Sequence, residues 1–356
     1  MSFDQDRADR FANRLLQTMN EASVALMISI GHRTGLFDAF AELPSATSVQ
    51  LAEKAGLNER YVREWLGAMT TGRIVDYDRE TKTYSLPAEH SAFLTHKASP
   101  NNIAVFAQYI PLLGSVEDDI IQCFRQGGGV PYSRFSRFHE VMAEDSGQSA
   151  VHSIFDSILP LIPGITEKLQ SGIDALDVGC GRGKIFLLLA AHFPKSRFTG
   201  MDLSQEVTSA AQAEANSLGL TNIRFIAKDL SRFDEEATAD TYDFITTFDA
   251  IHDQANPKAV LRGICRSLRP DGVYMMQDIK ASSEVGNNMD HPLGPFLYTV
   301  SCMHCMTVSL AQGGMGLGAV WGTELAQSML RDAGFTRIDI HQLAHDIQNE
   351  YYVIQR

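Results

Sequence analysis

The sequence has 356 residues, of which 44% are hydrophobic, enough for two ordinary buried cores. Its 43 acidic and 30 basic residues leave a formal charge of −13, which argues against a nonspecific grip on nucleic acid or on an anionic membrane. No apolar run approaches the length of a membrane span, Phe186–Ala191 being typical, and the opening MSFDQDRADR is too polar for a secretory signal. Five cysteines, an odd number, imply reduced thiols rather than a disulfide framework, so a soluble cytoplasmic protein is expected.

The first hundred residues read as an α-rich domain. Two amphipathic helices come first, with Phe11, Leu15, Met19, Ala22, Leu26, Ile30 and Leu36 at helical spacing. A short helix through Val49, Leu51 and Ala52 ends at Gly56. A second, N-capped by Asn58, lines Val62, Leu66 and Met69 on one face. Strand-like runs at Ile74–Tyr77 and Thr83–Leu86 flank a polar turn, which completes the outline of a winged helix. Such a unit either reads DNA or serves dimerisation and walls a substrate site. The second helix sets Glu59 and Glu64 against Arg60 and Arg63, and a DNA-reading helix would carry a basic surplus. Residues 101–169 read as a helical connector and substrate-site cover, interrupted at Arg125–Phe135 and Pro160–Gly164.

From about residue 170 to 356, strand and helix alternate. The pattern predicts an α/β domain with a doubly wound, mostly parallel sheet, closed by a C-terminal antiparallel hairpin; Thr323 is the expected cap of its last helix. The domains are thus expected at 1–100, 101–169 and 170–356. Ligands of such sheets sit outside the carboxyl ends of the strands. Asp177, Gly179, Gly181 and Gly183 stand there, with Asp202 and Asp229 ending the next two strands. A nicotinamide fingerprint would read G-x-G-x-x-G; here the turn reads D-x-G-x-G-x-G, which suits a zwitterionic tail better than a pyrophosphate.

LDVGCGRG, GMDLS, AKDL, YDFITTFDAIHD and LRPDG, taken in order, resemble the successive motifs of the class I S-adenosylmethionine-dependent methyltransferases, with a Rossmann-like fold, from about Asp174 to Arg356. The front end resembles the winged-helix dimerisation domain of small-molecule O-methyltransferases. The resemblance implies S-adenosyl-L-methionine as cofactor, a small-molecule acceptor and a homodimer. It implies that Asp177, Gly179 and Gly181 hold the methionine moiety, Asp202 the ribose with Leu203 beside it, Asp229 and Leu230 the adenine, with Phe248 near the cofactor.

His252, with Asp253 beside it, is the candidate catalytic base, because it follows the fourth strand and imidazole titrates near neutral pH. The pair resembles the catalytic histidine motif of plant-type O-methyltransferases, with Gln254 where that motif has tryptophan. Cys302 and Cys305, on one face of an apolar helix-like run around His304, are read as packing or substrate lining, and Trp321 as a possible aromatic wall. No second cysteine pair completes a structural zinc set, so no metal is expected. The glycine-rich stretch Ala311–Gly322 reads as a loop over the substrate. Two further readings stay open: methylation of arsenite or a thiol through Cys180, Cys302 and Cys305, and a DNA-binding regulator that senses the cofactor.

Overall fold

The computed structural model describes residues 3–356, which form two compact units divided between Gly114 and Ser115. The residues expected to connect two domains are divided between these units, and those after Gly114 belong to the second.

The first unit begins with α1 (Gln5–Arg33). Gly35, at φ +69°, turns the chain into α2 (Leu36–Ala41). A capping box at Thr47 and Gln50 starts α3 (Ser48–Ala55), and Gly56 stops it in a left-handed conformation. Asn58 caps α4 (Glu59–Thr71) by accepting from the Arg60 N–H, as the sequence predicts. The hairpin β1 (Asp76–Asp78) and β2 (Thr83–Ser85) forms the wing. Short helices α5 (Ala88–Ser91) and α6 (Tyr109–Gly114) follow. Val62, Trp65, Leu66 and Met69 of α4 pack with Phe37 and Phe40 of α2 in a common core. Arg60 pairs with Glu64 and Arg63 with Glu59, so the two cations of α4 are balanced along its own face. The expected apolar stripe of α1 is different: Phe11, Leu15, Met19, Leu26 and Ile30 are all exposed.

The second unit starts with α7 (Glu117–Gln126), α8 (Phe138–Ser146) and α9 (Ile165–Ser171). The alternation then runs β3 (Asp174–Val178), α10 (Lys184–His192), β4 (Arg197–Asp202), α11 (Gln205–Ser217), β5 (Ile223–Ala227), α12 (Phe233–Glu236), β6 (Tyr242–Phe248), α13 (Pro257–Ser267) and β7 (Leu268–Ile279). After α14 (Gly294–Val300) and α15 (Met306–Ala311) come α16 (Thr323–Asp332), β8 (Arg337–His341) and β9 (Asn349–Gln355). The sheet order is β5-β4-β3-β6-β7-β9-β8. Its first five strands are parallel, and β9 lies antiparallel between β7 and β8 as the closing hairpin.

Side-chain alternation along β3 feeds both faces: Ala175 enters one core cluster, while Leu176 and Val178 enter the other. Chain progression reverses at β3, which pairs with β4 on one side and β6 on the other, and this opens a crevice at the carboxyl ends. Thr323 does not cap α16 as expected. The N-cap is Gly322, and the Thr323 hydroxyl turns to the Ala281 carbonyl at 3.0 Å and to Glu350. No helix among the described residues is long and apolar enough to cross a membrane.

Candidate active site

Strand β3 delivers Asp177 to the crevice as a buried carboxyl, whose Oδ1 accepts from the Thr246 hydroxyl of β6 at 2.7 Å. Burial, helped by the nearby Asp202 charge and opposed by that hydrogen bond, pushes its pKa up to about 7. The turn that follows requires glycine at Gly179, which sits at φ +74° where a Cβ would lie 2.5 Å from that of Ala250. Gly181 also has a positive φ, but open space surrounds its missing side chain. Its N–H donates to Asp202 Oδ2 at 2.9 Å, while the Ser204 N–H donates to Oδ1 at 2.9 Å. These two main-chain donors fix the Asp202 carboxylate at the end of β4. After β5, Asp229 Oδ1 accepts from the Ser231 N–H at 2.8 Å.

All eight residues expected to hold a cofactor line one cavity of about 540 Å³: Asp177, Gly179, Gly181, Asp202, Leu203, Asp229, Leu230 and Phe248. Residues from Tyr132 to Val151 make a further wall, and Gln312 contributes from beyond α15. The stretch 311–322 is tied down rather than free: Met315 N–H donates to the Ala255 carbonyl at 3.0 Å, and Ser309 Oγ bridges the Gln254 carbonyl and Gly316 N–H.

The two expected catalytic residues part company. Asp253 lines the cavity; His252 is buried behind it and does not. His252 Nδ1 lies 2.7 Å from Asp278 Oδ1, and its Nε2 lies 3.4 Å from Asp253 Oδ1. Burial works against the charged imidazole, but the Asp278 and Asp253 carboxylates outweigh it and raise the His252 pKa well above the usual value. Asp253 Oδ2 accepts from the Tyr132 hydroxyl at 3.0 Å. Burial holds the Asp253 carboxyl above the ordinary range, opposed by His252.

Trp321 forms no part of the cavity wall. It is buried, and its indole N–H donates to Asp278 Oδ1 at 3.0 Å. Cys302 and Cys305 do not line the cavity either, whereas Cys180 does. Cys302 is half-buried in a π-helical turn, Ser301–Cys305, and Cys305 is buried beside His252 and Asp253. Burial and the Asp253 charge push the Cys305 thiol up to about 12. All five cysteines are free.

Sequence reasoning missed five cavity or near-cavity groups. Tyr132 and Phe138 come from the segment read as a helical connector and substrate-site cover, in which no individual residue was singled out. Arg182, inside the glycine turn, lines the cavity with its Nε buried and without a hydrogen-bond partner. Asp278 ends β7, and the strand-end position that picked out Asp202 and Asp229 would have found it. Asp249, just past β6 at φ +49°, holds Gln277 Nε2 at 2.9 Å, and burial raises its carboxyl well above the usual value.

A seven-stranded sheet with this order, a glycine-rich turn after its central strand and carboxylates at the next two strand ends defines the class I methyltransferase fold. Two family models agree: residues 22–96 match the Rv2258c-like winged HTH domain, and residues 169–342 match a methyltransferase domain. The chain thus carries a winged helix-turn-helix domain followed by a methyltransferase domain of the S-adenosylmethionine-dependent type. Mitomycin 7-O-methyltransferase is similar over 99% of both chains, with 17% identity and a TM-score of 0.68. Human N-acetylserotonin methyltransferase in complex with S-adenosylmethionine is similar over 100% of this chain and 99% of its own, with 17% identity and a TM-score of 0.67. In sequence, (S)-coclaurine N-methyltransferase of Papaver somniferum is 27% identical over 112 residues, 32% of this chain and 31% of that protein. Malonyl-[acyl-carrier protein] O-methyltransferase of Paenibacillus sp. (strain JDR-2) is 26% identical over 181 residues, 51% of this chain and 60% of that protein. The chain spans about a third of the length of the first of these relatives.

The residues present fit S-adenosylmethionine. The bare main chain at Gly179 allows close approach, Asp202 offers a carboxylate for ribose hydroxyls, and the unpartnered Arg182 Nε offers a donor for a carboxylate.

Proposed function

We propose that this protein transfers a methyl group from S-adenosylmethionine to an oxygen, nitrogen or sulfur atom of a small molecule. The observation that carries the reading is the convergence of three successive strand ends on one cavity with an aromatic and carboxylate wall. In this reading Asp177, Gly179 and Gly181 hold the methionine moiety, with Arg182 meeting its carboxylate. Asp202 and Leu203 hold the ribose, Asp229 and Leu230 the adenine, and Phe248 packs beside them. The bound cofactor supplies an electrophilic methyl carbon on a sulfonium. The chain's contribution is alignment and exclusion of water, worth roughly 7 kcal/mol or more when the reactants are well oriented.

Catalytic duty is divided between His252 and Asp253. His252, held between the Asp278 and Asp253 carboxylates and off the cavity wall, acts as a positioning residue. Asp253, on the cavity wall, is the group that accepts a proton from the acceptor. The three cysteines do not share the cavity, which favours a hydroxyl or amine acceptor over a metalloid held by thiols.

The winged helix is read as a dimerisation module. Phe11, Leu15, Met19, Leu26 and Ile30 lie exposed at helical spacing along α1, and in this reading a second copy of this chain covers them. A panel of phenols, amines, thiols and arsenite with labelled methyl donor tests the function. Transfer to a phenol or amine, absent in Asp253→Asn, is expected; transfer confined to arsenite or thiols would overturn the proposed acceptor class.

A further inference from the structure

The geometry points to a zinc-class ion site formed by His252 Nε2, Asp253 Oδ1 and Cys305 Sγ. These three atoms lie within 4.8 Å of one another, and all three side chains are at least nine-tenths buried or nearly so. The His252 Nε2 to Asp253 Oδ1 distance is 3.4 Å. Donors bound at zinc distances in a tetrahedron lie about 3.3–3.7 Å apart, so this pair is already spaced as ligands are. One nitrogen, one carboxylate oxygen and one sulfur form a donor set that suits zinc and cobalt rather than magnesium or calcium.

Two further observations point to a ligand here. Asp253 Oδ1 is buried and accepts no well-formed hydrogen bond, its near neighbours being His252 Nε2 at 3.4 Å and the Cys305 thiol, and a cation between these three would satisfy it. The other ring nitrogen of His252 faces Asp278 Oδ1 at 2.7 Å. That carboxylate–histidine arrangement fixes Nδ1 as the donor and aims Nε2 at the site, as in metal centres generally. Asp278 is held in turn by the Trp321 indole and by the Ile279 N–H at 2.8 Å. His304, fully buried and with both ring nitrogens unpartnered, stands with Nδ1 3.9 Å from Asp253 Oδ2 and is a spare donor for a fourth position. The ion displaces the Cys305 thiol proton and the His252 Nε2 proton to solvent, as metal binding at cysteine and histidine does. Because Asp253 also lines the cavity, an ion here would sit in the wall of the chamber proposed for the acceptor. The site stands on these atoms alone, independently of methyl transfer.

The test uses the full chain, stripped with a chelator and titrated with zinc against a chromophoric competitor, then with cobalt followed by absorption. One equivalent of zinc and a thiolate-to-cobalt charge-transfer band are expected. Cys305→Ser removes the band, Cys302→Ser leaves it, and Asp278→Asn weakens zinc binding roughly tenfold to a hundredfold. Should Cys305→Ser fail to fold, anomalous diffraction at the zinc edge from wild-type crystals locates the ion directly. No stoichiometric binding, a band that survives in folded Cys305→Ser, or an anomalous peak elsewhere overturns the proposal. Cofactor titration on the same samples shows separately whether the methyltransferase reading stands.

Discussion

If Asp177 meets the methionine end as proposed, cofactor binding depends on pH in a calculable way. Its carboxyl is buried under β6 with one hydrogen bond from Thr246, and its pKa is pushed up to about 7. The methionine end of the cofactor carries an ammonium group, which the ionised carboxylate attracts and the neutral acid does not. At about pH 6 roughly a tenth of the free protein then has Asp177 ionised, and at about pH 8 roughly nine-tenths. If only the ionised form is competent, the apparent dissociation constant scales inversely with that fraction, giving roughly tenfold tighter binding, about 1.4 kcal/mol, between those limits. Because the pKa is raised in the free fold, the gain comes as pH rises through it, and the ligand draws it back down. Isothermal titration with S-adenosylhomocysteine, which carries the same ammonium group, measures the profile. Asp177→Asn should bind weakly with no such slope. A flat wild-type profile, or the same slope in Asp177→Asn, would refute the reasoning.

Gly179→Ala forces a side chain into a left-handed conformation, costing about 1 kcal/mol, and against Ala250, costing about 1–3 kcal/mol more. Gly181→Ala has the first cost without the second, so urea midpoints should fall clearly further for Gly179→Ala. Asp253→Asn should lower kcat by roughly a hundredfold or more with little change in cofactor affinity, as expected when a general base is lost. His252→Asn should act through Asp253 and shift the pH profile as well as kcat; an unshifted profile would return His252 to mere packing. If α1 pairs two copies as proposed, the wild type should sediment as a dimer and Leu15→Glu with Met19→Glu as a monomer; a monomeric wild type, or an unchanged sedimentation coefficient in the variant, would remove α1 as the interface.

The positions of Asp177, Asp202 and Asp229 were legible because each lies at or within two residues of a strand's carboxyl end in an alternating α/β pattern, and parallel strands bring such ends to one edge. Gly179 was legible because a strand-to-helix turn this tight needs glycine. The orientation of His252 was not. Sequence places it after β6, but Asp278 from the end of β7 draws the ring inward, and Trp321 fixes Asp278 from a distant loop. Tyr132 was hidden for a similar reason: it lies in the interruption at Arg125–Phe135, and a loop announces no register with a distant strand end, yet its hydroxyl reaches Asp253. Cys305 joins His252 through a π-helical turn, which alters the spacing on which the helical reading of Cys302 and Cys305 relied. Thr323 looked like a cap by residue type, and tertiary partners at Ala281 and Glu350 claimed its hydroxyl instead. Periodicity revealed the apolar stripe of α1 but carries no information about what covers it.

The account rests on the cavity at the strand ends holding S-adenosylmethionine, and calorimetric titration of wild-type protein and Asp202→Ala tests it most directly. Saturable binding at one site per chain is expected. Losing a carboxylate that accepts ribose hydroxyls, at about 1.5–3 kcal/mol per charged hydrogen bond, should weaken binding by roughly tenfold to a hundredfold or more. No binding to the wild type, or equal affinity in the folded variant, would contradict it.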